Sequence, residues 1–166
     1  MSPDKAKPAR ILVALGEGGH TKEMLVLVDT LGEDVQFGYL IVDDDEVTGS
    51  KISHAGDVYI VKRPRDKAHH LVNDVLKTLH SAWHAYRALC DFRPTAVLSS
   101  GPSVAVPVSL LARLMGIDVI FVETGSRVTA LSTTGKIMYR IAHLFFVQWP
   151  ELRERYPRAI YAGRLV

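Results

Sequence analysis

The chain has 166 residues, which is the size of one ordinary domain. It carries 20 Lys and Arg against 18 Asp and Glu, for a net charge of +2, and 48% of its residues are hydrophobic. These values exclude a disordered chain, a coiled coil and a collagen-like repeat, and the small charge excess argues against a nucleic-acid binder. Enzymes that bind two substrates between two domains need roughly twice this length, so such chemistry would require a second chain.

The single cysteine, Cys90, allows no internal disulfide, which suits a reducing cytoplasm. It ends an apolar helical pattern, so we expect a buried thiol. Residues 1–9 are predicted to form a flexible polar N-terminus, and they lack the apolar core of a signal peptide. The most apolar stretch, residues 104–122, is interrupted by a proline, an arginine, a glycine and an aspartate. It therefore predicts a helix followed by a buried strand rather than a membrane span.

Apolar runs and helical periodicity alternate from residue 11 onward. Residues 11–15 predict a buried parallel strand, residues 16–19 a tight turn, and Thr21 opens a helix that Gly32 stops. Further strands are predicted at residues 35–42, 58–61, 96–98, 119–122, 144–147 and 160–162. Further helices are predicted at residues 68–90, 103–115 and 134–141, and a short one opens at residues 149–150.

This alternation predicts an α/β domain over residues 10–166, with a Rossmann-like doubly wound parallel sheet. Ligands of such sheets bind outside the carboxyl ends of the strands. Three segments lie there, namely residues 16–21, 99–103 and 123–127. We expect the functional site among them.

The first of these segments contains Gly16, Gly18 and Gly19. Glycines let the backbone approach a bulky anion, and a helix start offers free N–H groups and a positive dipole end. A dinucleotide site is one interpretation, because acidic residues 43–45 follow the second strand. However, Thr21 stands where the G-x-G-x-x-G pattern needs its third glycine, and no Walker-type lysine follows.

The alternative is a structural turn in which Thr21 caps the helix. That interpretation leaves His20 unexplained. A histidine at a helix N-terminus is held near neutrality by the dipole, so it can accept a proton or donate a hydrogen bond to a diphosphate.

Three strings in a fixed order carry a family resemblance. They read Gly16-x-Gly-Gly-His-Thr-x-Glu-Met-Leu25, Glu123-Thr-x-Ser-Arg-Val-x-x-Leu-Ser-x-Thr-Gly-Lys136 and Phe146-Val-Gln-Trp-Pro-Glu-Leu152. Together they resemble the Alg14-type oligosaccharide-biosynthesis proteins and their bacterial PssD-like relatives over nearly the whole chain. Eukaryotic members usually begin with a membrane-spanning helix that this sequence does not show, so we expect a bacterial-type member.

The resemblance implies one half of a split glycosyltransferase. This enzyme would move a sugar from a UDP-sugar to a lipid-diphosphate-linked saccharide at the cytoplasmic membrane face, with no further cofactor. The fold would match the N-terminal, acceptor-binding half of a GT-B glycosyltransferase such as MurG. A separate small PssE-like subunit would hold most of the UDP-sugar site. The alternative is a non-catalytic scaffold that recruits and activates this partner at the membrane.

Sugar transfer needs a base for the acceptor hydroxyl and positive charge or N–H groups for diphosphates. His20 and Glu123 are the candidate catalytic residues. A structural role for Glu123, in a salt bridge with Arg127, accounts for this glutamate equally well. The candidate substrate-binding residues are Gly16, Gly18, Gly19, Thr21, Thr124, Ser126 and Arg127.

The long helix at residues 68–90 carries an apolar stripe beside basic residues. This stripe faces the protein core, contacts the membrane, or does both on separate faces of the helix. Its candidate membrane residues are Val75, Leu76, Leu79 and Trp83. His80 and His84 have i, i+4 spacing on the same helix, but without a third ligand we expect no metal site.

Trp149 belongs either to the core or to a partner interface, since aromatic residues dominate interface hot spots. The resemblance favours the C-terminal region, including Leu165, as the place where the two subunits meet. We therefore expect a cytoplasmic protein with peripheral membrane contact and no nucleic-acid partner.

Overall fold

The computed structural model describes residues 8–16, 19–43, 49, 51–61, 71–102 and 104–165, with only the backbone of residues 71–79. Seven parallel strands in these ranges form one sheet in the order β3-β2-β1-β4-β5-β6-β7. They span Ala9–Ala14 (β1), Val35–Val42 (β2), Gly56–Val61 (β3), Ala96–Ser99 (β4), Asp118–Val122 (β5), Leu144–Val147 (β6) and Ile160–Tyr161 (β7). The helices span Gly19–Leu31 (α1), Leu71–Phe92 (α2), Ala105–Leu114 (α3), Thr133–Ile141 (α4) and Leu152–Arg155 (α5).

The chain reverses its direction of progress across the sheet at β1. Strands β2 and β3 extend the sheet to one side, whereas β4 to β7 extend it to the other. Ile11 consequently pairs with Phe37 of β2 and with Ala96 of β4. Ligands of doubly wound sheets bind in the crevice at such a switch point. The fold therefore places the β1–α1 and β4–α3 turns side by side.

Both faces of the central strands are buried, which explains why β1 is a continuous apolar run. Ile11 and Val13 pack with α1 on one face of the sheet. Leu12 and Ala14 pack on the opposite face with residues of α2, α3 and α4. The predicted Rossmann-like doubly wound sheet is confirmed.

The observed element bounds follow the prediction closely, with one clear error. β2 and β6 have the predicted bounds, while α1 begins at Gly19, two residues early. The prediction of a buried Cys90 is wrong, because this residue is exposed and Leu89 is buried in its place. The helical spacing of Ala85, Ala88, Leu89 and Phe92 sets the inward face, and Cys90 lies one position off it. No helix in the described part of the chain combines the length and apolarity that a membrane crossing requires.

Candidate functional site

The β1–α1 and β4–α3 turns are in direct contact at the carboxyl edge of the sheet. A Cβ added to Gly16 would overlap Cβ of Pro102, so glycine is required for this approach. Gly101 has φ +77°, a left-handed conformation that favours glycine, and a Cβ there would lie 2.8 Å from Cε1 of His20. The two predicted turns thus form a single surface.

His20 lies on Gly101 at the start of α1 and is half-buried. Among the described residues, its Nδ1 atom is buried and has no hydrogen-bond partner. The first turn of α1 contains no acidic residue, and its free N–H groups and positive dipole end favour negative charge. Buried polar atoms are normally paired, and an unpaired one at a helix N-terminus is suited to an anionic ligand.

Other predicted ligands of the first turn have different surroundings. Thr21 is buried, and its hydroxyl donates to the carbonyl of Gly16 rather than accepting as a helix cap. Gly19 is exposed at the helix start. Gly18 lies outside the described residues. Ser100, at the end of β4, buries a hydroxyl for which the described residues offer no partner.

Glu123 ends β5 beneath this surface and is 0% exposed. Its Oε2 accepts hydrogen bonds from N (3.0 Å) and Oγ (3.1 Å) of Ser132, and its Oε1 accepts one from N of Thr124 (3.2 Å). Ser132 in turn accepts from N of Gly135 and caps α4. The carboxylate therefore links the end of β5 to the start of α4, and no face of it reaches solvent.

Within the described chain, Glu123 forms no salt bridge with Arg127, so that alternative is wrong for this structure. Burial raises the pKa of Glu123 above the usual glutamate value. The hydrogen bonds from Ser132 and Thr124, and more weakly the charge of Arg127, act in the opposite direction.

The loop after Glu123 divides into a buried and an exposed part. Thr124 is buried, and its hydroxyl donates to Glu23 over 3.0 Å. Ser126 and Arg127 are exposed. Of the predicted ligands in this loop, Ser126 and Arg127 are therefore open to a substrate, while Thr124 holds the loop in place.

Sequence reasoning assigned no role to Glu23 or Gln148, although both stand in the quoted strings. Oε1 of Glu23 accepts from Oγ1 of Thr124 (3.0 Å) and from N of Gly125 (3.1 Å). Its Oε2 accepts from Nε2 of Gln148 (3.0 Å). The three strings, the first of which lies about a hundred residues before the other two, thus meet at one carboxylate.

The predicted partner residues lie beside this network. Trp149 is half-buried, its indole N–H donates to the carbonyl of Gly125 over 2.6 Å, and the guanidinium of Arg164 covers its ring at 4.5 Å. Leu165 is half-buried, and its N–H donates to Oε1 of Gln148 over 2.9 Å. Next to Leu165, an apolar groove of about 290 Å³ runs between α1 and β6.

The predicted membrane residues lie on α2. Trp83 is 59% exposed and contacts Tyr86. The side chains of Val75, Leu76 and Leu79 lie outside the described residues. α2 packs against α3, and α3 against α4, so their outer surfaces form one layer. His80 and His84 lie 3.0 Å apart through their Nε2 atoms, and the described residues contain no group of three metal-binding side chains.

Comparison with known proteins identifies the family. Residues 11–165 match the family model described as "Oligosaccharide biosynthesis protein Alg14 like". The human protein named UDP-N-acetylglucosamine transferase subunit ALG14 is 34% identical over 94% of this chain and 82% of its own length. The Schizosaccharomyces pombe protein of the same name is 33% identical over 96% of this chain and 85% of its own length.

Solved structures show the same fold. MurG from Acinetobacter baumannii superposes with a TM-score of 0.72 at 20% identity, over 87% of this chain and 43% of that one. A UDP-N-acetylglucosamine 2-epimerase also gives 0.72 at 15% identity, over 95% of this chain and 49% of that one. The predicted equivalence to the N-terminal half of a GT-B glycosyltransferase is confirmed at the level of the fold. With a family model that covers almost its entire length, the chain belongs to the Alg14-like family of oligosaccharide biosynthesis proteins.

Proposed function

We propose that this chain is the acceptor-binding subunit of a two-chain glycosyltransferase. The enzyme transfers a sugar from a UDP-sugar to a lipid-diphosphate-linked saccharide. Its curated relatives are named transferase subunits for UDP-N-acetylglucosamine, so this is the first donor to test. The word subunit in those names supports a donor-binding half on a second, PssE-like polypeptide.

The observation that carries the proposal is His20 at the switch point of the sheet. Its unpaired Nδ1 atom, the free N–H groups at the start of α1 and the close approach at Gly16 and Gly101 surround one small surface. A diphosphate fits such a surface because backbone N–H groups and the helix dipole favour negative charge. Arg127, exposed on the neighbouring loop, adds a positive charge near the same edge.

His20 is our first candidate for the base that takes the proton of the acceptor hydroxyl, or for a group that orients the acceptor. Glu123 is less suited to either role in this conformation, because three hydrogen bonds occupy its carboxylate below the surface. A general base contributes about 10²–10⁴-fold to the rate, while a hydrogen bond that only orients a ligand contributes about tenfold.

The test is a transfer assay with the chain alone and with the small protein encoded beside its gene, on lipid-linked acceptor and a panel of UDP-sugars. We expect activity only with both proteins. His20→Ala should lower kcat by about 100-fold or more if His20 is the base, with the complex intact. His143→Gln is the matched control, because His143 is exposed at the opposite edge of the sheet, before β6.

Two outcomes would contradict parts of this proposal. Transfer by the single chain would show a complete donor site within one domain. Two results together would favour the scaffold function. His20→Ala would leave kcat unchanged, and the Trp83→Ser and Leu114→Ser variants, described below, would lose only the recruitment of the partner to membranes.

We further propose that the outer surface of α2, α3 and α4 contacts the cytoplasmic face of the membrane. Leu114 is 77% exposed on α3, and Leu110 and Trp83 are also exposed. α3 and α4 contain no acidic residue. Their exposed cations complement an anionic lipid surface and are Arg113, Lys136 and Arg140.

Binding to phosphatidylcholine vesicles with and without phosphatidylglycerol tests this surface. Leu114→Ser and Trp83→Ser should each weaken binding at least tenfold, since an inserted side chain of this size contributes ~1.5–3 kcal/mol. Leu31→Ser is the control, because Leu31 is exposed at the end of α1 on the other face of the sheet. Equal weakening by all three variants would refute the assignment.

The partner, in our proposal, docks at the C-terminal segment. The apolar groove beside Leu165, lined also by Leu27, Ile120 and Phe146, offers a surface that a protein chain can fill. Trp149 is placed to support this segment through Arg164 rather than to insert into the partner. Leu165→Asp should weaken partner binding in a pull-down with both purified chains.

A further inference from the structure

Two buried side chains connect the C-terminal segment to the 123–127 loop. Glu23, in α1, is 6% exposed and Gln148, after β6, is 2% exposed. Within the described residues, Glu23 takes part in no salt bridge, and three hydrogen-bond donors compensate its carboxylate instead. A buried carboxylate without a cation is costly unless it is fully hydrogen-bonded, so this arrangement calls for an explanation.

The main chain fixes the orientation of the Gln148 amide at both ends. The N–H of Leu165 can only donate, so Oε1 must face it at 2.9 Å. The carbonyl of Glu123 can only accept, so Nε2 must face it at 3.2 Å. Nε2 also lies 3.0 Å from position 23, which must therefore present an acceptor.

The other oxygen of Glu23 meets the same requirement. It faces the N–H of Gly125 at 3.1 Å, and this group can only donate. Both ends of the side chain at position 23 must accept hydrogen bonds, and a carboxylate is the side chain of this length that does so. Glutamine at position 23 would turn its NH₂ group either toward Gln148 or toward Gly125, and one link would break.

Gly125 is held from two directions, and the C-terminal segment contacts both. Its N–H donates to Glu23, and its carbonyl accepts from the indole of Trp149 over 2.6 Å. Leu165 reaches the first contact through Gln148, and Arg164 covers the ring that makes the second. A Cβ at Gly125 would lie 3.3 Å from Gln148, so the loop backbone lies directly on this network.

We propose that residues 164–165 position the 123–127 loop through Gln148 and Glu23, and that Glu23 is a positioning residue. The functional consequence rests on the function proposed above. The loop carries Ser126 and Arg127 toward the acceptor, and the C-terminal segment receives the partner. Partner docking therefore orders the acceptor loop, so that the acceptor binds more tightly to the complex than to the chain alone.

Amide hydrogen exchange of the full chain tests the coupling without any activity measurement. Leu165→Pro deletes the N–H that reaches Gln148, while Leu165→Ala keeps it and removes the side chain. We expect exchange in residues 123–127 to become about tenfold faster in Glu23→Gln, as for loss of one charge-assisted hydrogen bond. It should become about fivefold faster in Leu165→Pro, which loses a neutral hydrogen bond, and should change less than twofold in Leu165→Ala.

A double variant that swaps the two side chains provides a rescue experiment. In Glu23→Gln/Gln148→Glu, the new glutamine accepts from Gly125 and donates to the new glutamate, which accepts from the N–H of Leu165. The 3.2 Å hydrogen bond to the carbonyl of Glu123 is replaced by two facing acceptor oxygens, so the rescue is partial. We expect hydrogen exchange in residues 123–127 to be faster than in wild type but slower than in Glu23→Gln, and this comparison keeps the test valid if Leu165→Pro does not fold.

The activity readout is a KM-against-kcat split for the acceptor in the assembled enzyme. Glu23→Gln should raise the acceptor KM about tenfold with kcat within twofold, and the double variant should restore part of the loss. Wild-type exchange in Leu165→Pro or in Glu23→Gln, or no rescue by the double variant, would overturn the relay even if the proposed activity is found. Confirmed exchange changes without any transfer activity would instead refute the proposed function.

Discussion

Replacing Gly135 by alanine tests the placement of Glu123. Gly135 lies in the first turn of α4, where alanine normally stabilises a helix by ~1 kcal/mol relative to glycine. Here a Cβ would overlap Oε2 of Glu123 and lie 2.9 Å from its carboxyl carbon. The carboxylate must move, and it then loses its contacts with N and Oγ of Ser132.

The expected cost follows from those two hydrogen bonds. Each bond to a charged group contributes ~1.5–3 kcal/mol, so losing both, less the gain in helix propensity, lowers the free energy of unfolding by about 2–5 kcal/mol. For a domain of this size, that free energy corresponds to a fall in Tm of about 4–20 °C. The substitution therefore has the opposite sign to the ordinary glycine-to-alanine effect in a helix.

Thermal and urea unfolding of the purified chain measure this effect. Gly19→Ala is the matched control, because a Cβ at the start of α1 meets nothing within 4 Å. The clash also predicts non-additivity, since Gly135→Ala should cost little further in a Glu123→Ala background, where the overlapping atoms are gone. A neutral or stabilising Gly135→Ala in the wild-type background would show that the Glu123 carboxylate does not lie against α4.

Three further predictions concern the same edge of the sheet. Because the pKa of Glu123 is higher in the folded than in the unfolded chain, its ionisation opposes folding. The unfolding free energy of wild type, relative to that of Glu123→Gln, should therefore fall as the pH rises from the unfolded toward the folded pKa, and should stay level above it. A difference that rises with pH would contradict this. Gly16→Ala should raise the acceptor KM of the assembled enzyme by separating the β1–α1 and β4–α3 turns. Adding Pro102→Gly, which removes the overlapping Cβ, should bring the KM part of the way back. No recovery would show that another contact is responsible. Trp149→Phe should lower the unfolding free energy by ~1 kcal/mol through loss of its indole hydrogen bond. Trp83→Phe, at an exposed site, should leave urea unfolding unchanged. Equal effects of the two substitutions would show that the indole hydrogen bond of Trp149 does not stabilise the fold.

The sheet could be predicted from the sequence because its strands are buried on both faces. Continuous apolar runs bounded by glycine or polar residues fix β1, β2 and β6 almost to the residue. Cys90 shows where this reasoning fails. The apolar stripe of a helix does not determine which of two neighbouring apolar residues faces the core. Only the packing of α2 decides between Leu89 and Cys90.

The sequence also predicts where the candidate site lies, but it does not predict the connections within it. The switch-point rule brings Gly16 and Gly101 to one edge, and His20 follows from the helix start. The role of Glu23 depends on Thr124 and Gln148, which lie 101 and 125 residues further along the chain. Local periodicity holds no information on contacts of that range. The available signal was the presence of Glu23 and Gln148 inside the strings that carry the family resemblance.

The two buried carboxylates have complementary roles in one loop. Glu123 accepts from N of Thr124 and ties the loop to α4, whereas Glu23 accepts from Oγ1 of Thr124 and N of Gly125 and ties it to α1. The backbone between them is thus fixed from both sides before Ser126 and Arg127 reach solvent. A ligand group carried on a rigid base loses less conformational entropy on binding than one on a free loop. Under the proposed function, the carboxylates favour acceptor binding by ordering the chain that presents Arg127, so neither needs to touch the acceptor itself.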